Sequence, residues 1–456
     1  MIKKKSVVSV VLLTALLGTT VLSGCGSDNK AEEDTQSSTE SIVSTAAPEE
    51  SKDAETEKPS APAEPSEVDP LVKLAEEDNG PIPEIEDPTP DNMGEDVNNI
   101  FVYNNVAYEY FFGDESMAQH YADVISSFKN MIGPGITLYN VVVPTHVGVD
   151  LPAKFDGEKS TSQKDYLNKI VTSYSANVRG VDAYNKIVHH RNEYLYFNSD
   201  HHWTALGAYY AYRSFAQVAG FEPLELSSLK TGKIEDVYGS FSSAYDVPDL
   251  KADTVTYYYP SYKIDCKRYD ENGQNPMDWS IINKDADSDT AMYAFLGGDQ
   301  PLMVTKNPKG NGKKIAVLKE SYGNAFSPFI CYTYSETHLI DLRSLKIDIK
   351  EYLDKNNITD VIIINNAMAT ASSVIVDAIS DFVNRNALGA DYVNNANDDE
   401  NDEDENEESY EEDEGDSDDN ADEDNGDDTG DDTGDNTGDE GDDNNNDEGY
   451  GDEYYE

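Results

Sequence analysis

The chain has 456 residues, 33 Lys+Arg against 91 Asp+Glu, and a formal net charge of −58, which excludes nucleic acid as a partner because no basic stripe is present to displace counterions. The excess is uneven: residues 391–456 hold 34 acidic and no basic side chains, and residues 26–99 hold 22 against 4, leaving 100–390 with 35 against 26. That block of 291 residues has the balance of a globular domain with a sizeable core, and the one long apolar run lies at the N-terminus, which argues against a membrane-spanning protein.

Lys3, Lys4 and Lys5 precede an apolar run over 7–21 and the sequence Leu22-Ser23-Gly24-Cys25. A basic start, a short apolar stretch and small residues before a cut site describe an export signal. The ending resembles the bacterial lipobox, which implies a lipoprotein signal peptide over 1–25, lipidation at Cys25 and a lipid-anchored domain on the extracellular face of a bacterial cell membrane. An ordinary signal peptide or a short anchor is the alternative. Diacyl chains bury enough CH₂ groups to hold such a domain on a bilayer. Residues 26–99, rich in Glu, Ser, Ala, Thr and Pro, with Pro59, Pro62, Pro65 and Pro70 among them, read as a disordered tether.

From residue 100 the pattern changes. A strand is expected over 100–103 and a helix over 115–131, stopped by Gly133-Pro134-Gly135. A continuous apolar strand follows over 136–143, then a helix near 163–174, a strand-like piece over 194–197 and a helix over 204–218. Later come a strand over 315–318, a helix over 347–356, a strand over 361–364 and a closing helix near 372–382. Apolar strands alternating with helices predict an α/β fold, a mostly parallel sheet covered on both faces. Residues 223–314 are less regular and read as an insertion with antiparallel pieces such as 254–259. Cys266 and Cys331 could form one disulfide outside the cytoplasm or remain two free thiols. The tail over 391–456 repeats Asp427-Asp-Thr-Gly, Asp431-Asp-Thr-Gly and Asp435-Asn-Thr-Gly. It reads as a disordered, self-repelling polyanion, with weak Ca²⁺ or Mg²⁺ association as the sharper alternative.

Two segments carry chemistry. Asn198-Ser-Asp200-His201-His202-Trp203-Thr204 lies before a helix, and Lys319-Glu-Ser321-Tyr-Gly-Asn-Ala-Phe326 follows a strand. A serine at a strand-to-helix corner can present its hydroxyl at the carboxyl edge of a sheet, with its own N–H and the next helix turn facing a developing oxyanion. It needs a base, and the base needs an orienting carboxylate. Asp200 and His202, two residues apart, can supply both from one loop. Taken alone, a serine after a strand is more often a helix cap, and a His-His pair more often structural.

Asp200-His-His-Trp203, followed by Thr204, Gly207 and Tyr209-Tyr210-Ala211-Tyr212, resembles the signature of the bacterial DHHW-motif proteins. Their domain is similar to the SGNH-hydrolase-like, flavodoxin-like domains of the alginate O-acetylation machinery. Val143-Pro144-Thr145, Leu296-Gly297-Gly298-Asp299, the Ser321 segment and Ile340-Asp341-Leu342-Arg343 fit the same pattern, over roughly 98–388. In those acetylation domains the Asp-x-His-Trp segment precedes the serine, reversing the usual SGNH order, as it does here. The resemblance implies Ser321 as nucleophile, His202 as base and Asp200 as its orienter, with His201 unassigned and Trp203 packed beneath the loop. Glu320 stands where an aspartate often precedes the serine. Arg343 and Asn365 are weaker candidates for substrate binding or an oxyanion donor, as are Gly323 and Asn324 after the serine.

The implied reaction is acyl-ester hydrolysis or O-acetyl transfer on an extracellular polysaccharide or cell-wall polymer, with no cofactor and with a membrane protein as a conceivable acyl donor. Two rivals stay open. Five of the seven histidines lie between 146 and 202, which would suit a metal site, but no regular ligand spacing such as His-Glu-x-x-His is present. The other rival is a non-catalytic surface protein that keeps the fold to bind glycan or a partner, to which the 30 tyrosines are suited.

Overall fold

Val and Ile runs with both faces apolar make strands for the middle of a sheet, and the amphipathic stretches between them make its covering helices. The computed structural model describes residues 76–388. The expected signal peptide and lipidation at Cys25, the expected tether up to residue 75 and the acidic tail with its expected Ca²⁺ association lie outside the described residues. Among the described residues no helix is long and apolar enough to cross a membrane.

In chain order the strands are β1 (Glu95–Val97), β2 (Ile100–Tyr103), β3 (Val106–Tyr108), β4 (Thr137–Val143), β5 (Val178–Asp182), β6 (Lys230–Val237), β7 (Asp253–Tyr259), β8 (Asp265–Tyr269), β9 (Met277–Asp278), β10 (Leu302–Lys306), β11 (Lys314–Lys319), β12 (Glu336–Asp341) and β13 (Asp360–Asn366). The helices are α1 (Glu115–Ile132), α2 (Gln163–Thr172), α3 (Ala183–His189), α4 (Ala205–Ala219), α5 (Ser240–Ser243), α6 (Gly323–Thr333), α7 (Ile349–Lys355), α8 (Ala367–Ala371) and α9 (Ser373–Leu388). The eight-stranded sheet runs β5-β4-β13-β11-β12-β10-β8-β9. Its first five strands are parallel, and the β10–β8–β9 edge is antiparallel.

Side-chain alternation divides the core. Val141, Val143, Ile315, Val317, Ile362 and Ile364 face α3, α4 and α6. Leu138, Val142, Ala316, Leu318, Val361 and Ile363 face α1, α2, α7 and α9. The mostly parallel α/β architecture is therefore the expected one, and its order explains a reversal in the sequence. Counted from β11, the parallel strands read 2-1-3-4-5 across the sheet, the flavodoxin-like order, but the chain enters this cycle at its fourth strand. A motif on the first strand of the cycle thus falls late in the sequence, and one after the fifth falls early.

Three local expectations are corrected. Residues 76–99 are not all tether: β1 pairs with β2, Asp78 meets the buried Lys186 at 2.9 Å, and Lys154 pairs with Asp87 at 3.0 Å while donating to the carbonyls of Thr89, Pro90 and Asn92. Lysines far along the chain hold this acidic stretch, which composition does not show. Residues 194–197 form no strand, only an isolated bridge between Tyr196 and Trp203. The 223–314 region is more than an insertion, because β8, β9 and β10 extend the main sheet while β6 and β7 form a separate hairpin. Of the two alternatives open for Cys266 and Cys331, the structure has the buried free thiols, the latter pushed by burial up to about 12.

Candidate active site

The carboxyl edge of β11 turns sharply into α6. Gly323 N–H bonds the Glu320 carbonyl at 3.0 Å, and Asn324 N–H bonds the Ser321 carbonyl at 2.9 Å. Glycine is needed at 323, since a Cβ there would lie 2.4 Å from Lys319 Cβ. Ser321 is left at the corner, beside the gap in topology between β11 and β13 where open α/β sheets bind ligands.

The second segment is a tight loop ahead of α4. Thr204 caps that helix, accepting from Leu206 N–H at 3.2 Å and Gly207 N–H at 3.4 Å, while its hydroxyl donates to the Tyr194 carbonyl. Asp200 Oδ1 accepts the His202 backbone N–H at 2.9 Å and meets His202 Nδ1 at 2.7 Å. Asp200 Oδ2 accepts Ser240 N–H at 2.9 Å. With Nδ1–H given to the carboxylate, Nε2 carries the lone pair, and it lies 2.8 Å from Ser321 Oγ. The structure thus brings Ser321, His202 and Asp200, 119 residues apart at their widest bond, into one hydrogen-bonded line.

Burial alone would raise the Asp200 carboxyl, but the His202 and His201 imidazoles outweigh it and hold it well below the usual carboxylate range. Burial would lower His202, and Asp200 outweighs that in turn, so its pKa sits above the ordinary histidine value. His201, half-buried with its ring 3.8 Å from that of His202, is pushed down to about 4 by burial and by that neighbour, and its Nδ1 meets Ser240 Oγ at 2.9 Å. The two adjacent histidines therefore differ in charge: His201 is neutral where His202 can be protonated. Among the described residues, Asp200, His201 and His202 also form a group with ligand atoms within 4.8 Å, close enough to hold a metal ion. An ion there would have to displace the Asp200–His202 bond, because both Asp200 oxygens already have donors.

Trp203 is fully buried beneath the loop, with its Nε1–H on the Tyr322 carbonyl, as expected. Glu320 is buried and raised by that burial; its Oε2 accepts Tyr322 N–H at 2.8 Å and lies 3.3 Å from Ser321 Oγ, and its Oε1 accepts Asn366 N–H at 3.3 Å. Arg343 follows β12 as Ser321 follows β11, and since Lys319 is in register with Asp341 the two stand level on neighbouring strands. Its guanidinium grips Asp341 through Nε at 3.1 Å and Nη2 at 2.8 Å and Asp299 through Nη2 at 2.5 Å. Asn324 Nδ2 reaches the same Asp299 at 2.8 Å, and the buried Lys319 ammonium lies 3.1 Å from Asp299 and 3.7 Å from Asp341. Arg343 and Asn324 are thus committed to an ion-pair network beside the serine. Asn365 is placed differently from the expectation of an oxyanion donor: its Oδ1 accepts the Tyr121 hydroxyl of α1 at 2.9 Å, on the face away from α6, and no hydrogen bond among the described residues joins it to Ser321.

Three features escape a sequence reading. Glu109, just after β3, is half-buried near His202 and Asp200, and burial pushes it up to about 7. Gly239 and Ser240 support Asp200 from the β6–α5 corner, where a Cβ on Gly239 would lie 2.3 Å from Asp200 Cβ. Asp253, at the start of β7, holds the residues that precede Asp200. Only Asp299 had a local signal, in the Leu296-Gly297-Gly298-Asp299 segment.

The sequence profile of the family described as DHHW protein matches residues 16–340. No curated protein matches the chain. Among solved structures, a DHHW family protein from Eubacterium siraeum is 28% identical with a TM-score of 0.59, covering 64% of this chain and 97% of its own. Bacillus cereus PatB1 is 18% identical with a TM-score of 0.49, over 60% and 98% of the two chains. The O-acetyltransferase domain of Pseudomonas putida AlgJ is 12% identical with a TM-score of 0.36, over 64% and 98%.

Proposed function

The chain belongs to the DHHW protein family, and from that premise we propose that it is a serine acyl-ester hydrolase or O-acetyltransferase acting on extracellular polysaccharide or cell-wall polymer. Ser321 Oγ attacks the acyl carbonyl while His202 Nε2 takes its proton, and Asp200 steadies the imidazolium that forms. The backbone N–H of Ser321 serves the oxyanion. His202 then protonates the leaving alkoxide. Water, or a sugar hydroxyl deprotonated by His202, releases the acyl group from Ser321. The observation that carries this reading is the unbroken line Asp200–His202–Ser321, with contacts of 2.7 and 2.8 Å. The lipobox-like ending at Cys25 supports a place on the outer face of the cell membrane, where such polymers lie.

The test is turnover of an acetyl ester by purified variants. Ser321→Ala and His202→Ala are expected to lose about 10⁶-fold in kcat and Asp200→Asn about 10⁴-fold, each with a retained melting transition. Turnover at the wild-type rate in Ser321→Ala would eliminate the mechanism, and a wild-type protein that leaves the ester intact would favour a glycan-binding role for the same fold.

A further inference from the structure

Resting on that reading, we infer that Asp253 is a positioning residue that sets the orientation of Asp200, and through it of His202, although it touches no reacting atom. Asp253 is 2% exposed, and both its oxygens are filled by the loop that carries the acid–base pair. Oδ1 accepts Asn198 N–H at 2.7 Å, Asn198 Nδ2–H at 2.8 Å and the Tyr194 hydroxyl. Oδ2 accepts Ser199 N–H at 2.8 Å and the Ser199 hydroxyl at 2.5 Å. A buried carboxylate is tolerated when donors saturate it, and here the donors come from Asn198 and Ser199, the two residues nearest to Asp200 on its N-terminal side, and from Tyr194.

The Ser199 hydroxyl carries the constraint onward. Having given its proton to Asp253, its oxygen accepts Gly239 N–H at 2.9 Å, and the Ser199 carbonyl accepts Phe241 N–H at 3.0 Å. These bonds fix the corner whose next N–H, that of Ser240, occupies Asp200 Oδ2. With Oδ2 occupied, Oδ1 is the oxygen that faces His202. The β6–β7 hairpin thus acts as a clamp on the catalytic loop.

Asparagine at 253 would keep the shape but put an NH₂ against donors that it cannot accept from. The experiment compares wild type, Asp253→Asn, Ser199→Ala and Ser199→Thr. It uses the His202 imidazole titration and its downfield Nδ1–H resonance by NMR, together with kcat on an acetyl ester per Ser321 sulfonylated by phenylmethanesulfonyl fluoride. Asp253→Asn is expected to lower kcat about 10–100-fold at nearly unchanged KM, as small misplacements of catalytic groups do. Its His202 midpoint is expected to fall, with loss of the downfield resonance. Ser199→Ala should shift both readouts in the same direction and less far, and Ser199→Thr, which keeps the hydroxyl, should restore them. Folded Asp253→Asn or Ser199→Ala protein with the wild-type titration and wild-type kcat per site would overturn the inference, and so would failure of both to fold, which would make the role structural alone. If wild type is neither sulfonylated nor active, the hydrolase reading falls, while the His202 titration still tests the clamp.

Discussion

The indole N–H of Trp203 donates to the carbonyl of Tyr322 at 2.9 Å, and the Tyr322 hydroxyl donates back to the carbonyl of His201 at 2.6 Å. Each loop is thereby held by the residue next to the other's reactive group. The rings lie 5.3 Å apart, both fully buried, so the pairing is sealed from water. It explains why a tryptophan closes the Asp-His-His-Trp segment without touching substrate.

Trp203→Phe leaves the Tyr322 carbonyl without its donor and a void where the second ring stood. A loss of about 2–3 kcal/mol in unfolding free energy is expected from the unpaired group and the lost packing. Urea denaturation followed by tyrosine fluorescence reads it. Stability equal to wild type would show that the indole bond is not what joins the loops.

The pH dependence follows from His202. Its pKa lies above the ordinary 6.5 because Asp200 favours the imidazolium, and only the neutral ring can take the Ser321 proton. Hydrolysis of an acetyl ester should therefore fall as pH drops through a midpoint above 6.5 and level off at higher pH. Asp200 stays ionised across this range, and His201, at about 4, is already neutral. A midpoint near 4 would assign the limb to His201 instead.

Glu109 adds a second electrostatic handle. Its carboxylate, once ionised above about 7, is an anion near His202 and favours the protonated ring. Glu109→Gln removes that charge, so the acid limb of the pH–rate profile should move to lower pH with little change in the plateau. An unmoved limb would separate Glu109 electrically from the site.

Lys319→Met would strip the buried ammonium from between Asp299 and Asp341. Arg343 still pairs with both carboxylates, but Asp341 is itself buried, and removing one partner of a buried network costs about 3 kcal/mol. Equilibrium unfolding in guanidinium measures this, and a change under about 0.5 kcal/mol, the range of ordinary surface substitutions, would mean that Arg343 carries the network alone.

The sequence made Ser321, His202 and Asp200 legible because each sits in a short local pattern: a serine after an apolar strand, and a carboxylate two residues before a histidine. What it hid was non-local. Asp253 reads as an ordinary acid before a β-rich stretch, and its partners Asn198 and Ser199 lie 55 and 54 residues away. Strand β12 is hidden in the sequence because buried Thr337 and His338 interrupt its apolar run, and β5 because its edge position leaves Arg179 and Asp182 exposed. Asn365 looked like a free amide at a strand end, yet Tyr121, from a helix more than two hundred residues earlier, claims its oxygen.

The strand the chain makes last, β13, is the one on which both neighbours wait: β4 and β5 on one side, β11 and β12 on the other, touch only through it. A growing polypeptide can thus lay down both the Asp200–His202 loop and the Ser321 corner and still have two unjoined half-sheets with bare edges. Closure comes only when residues 360–366 arrive, so a product cut short before them would be both inert and prone to aggregate.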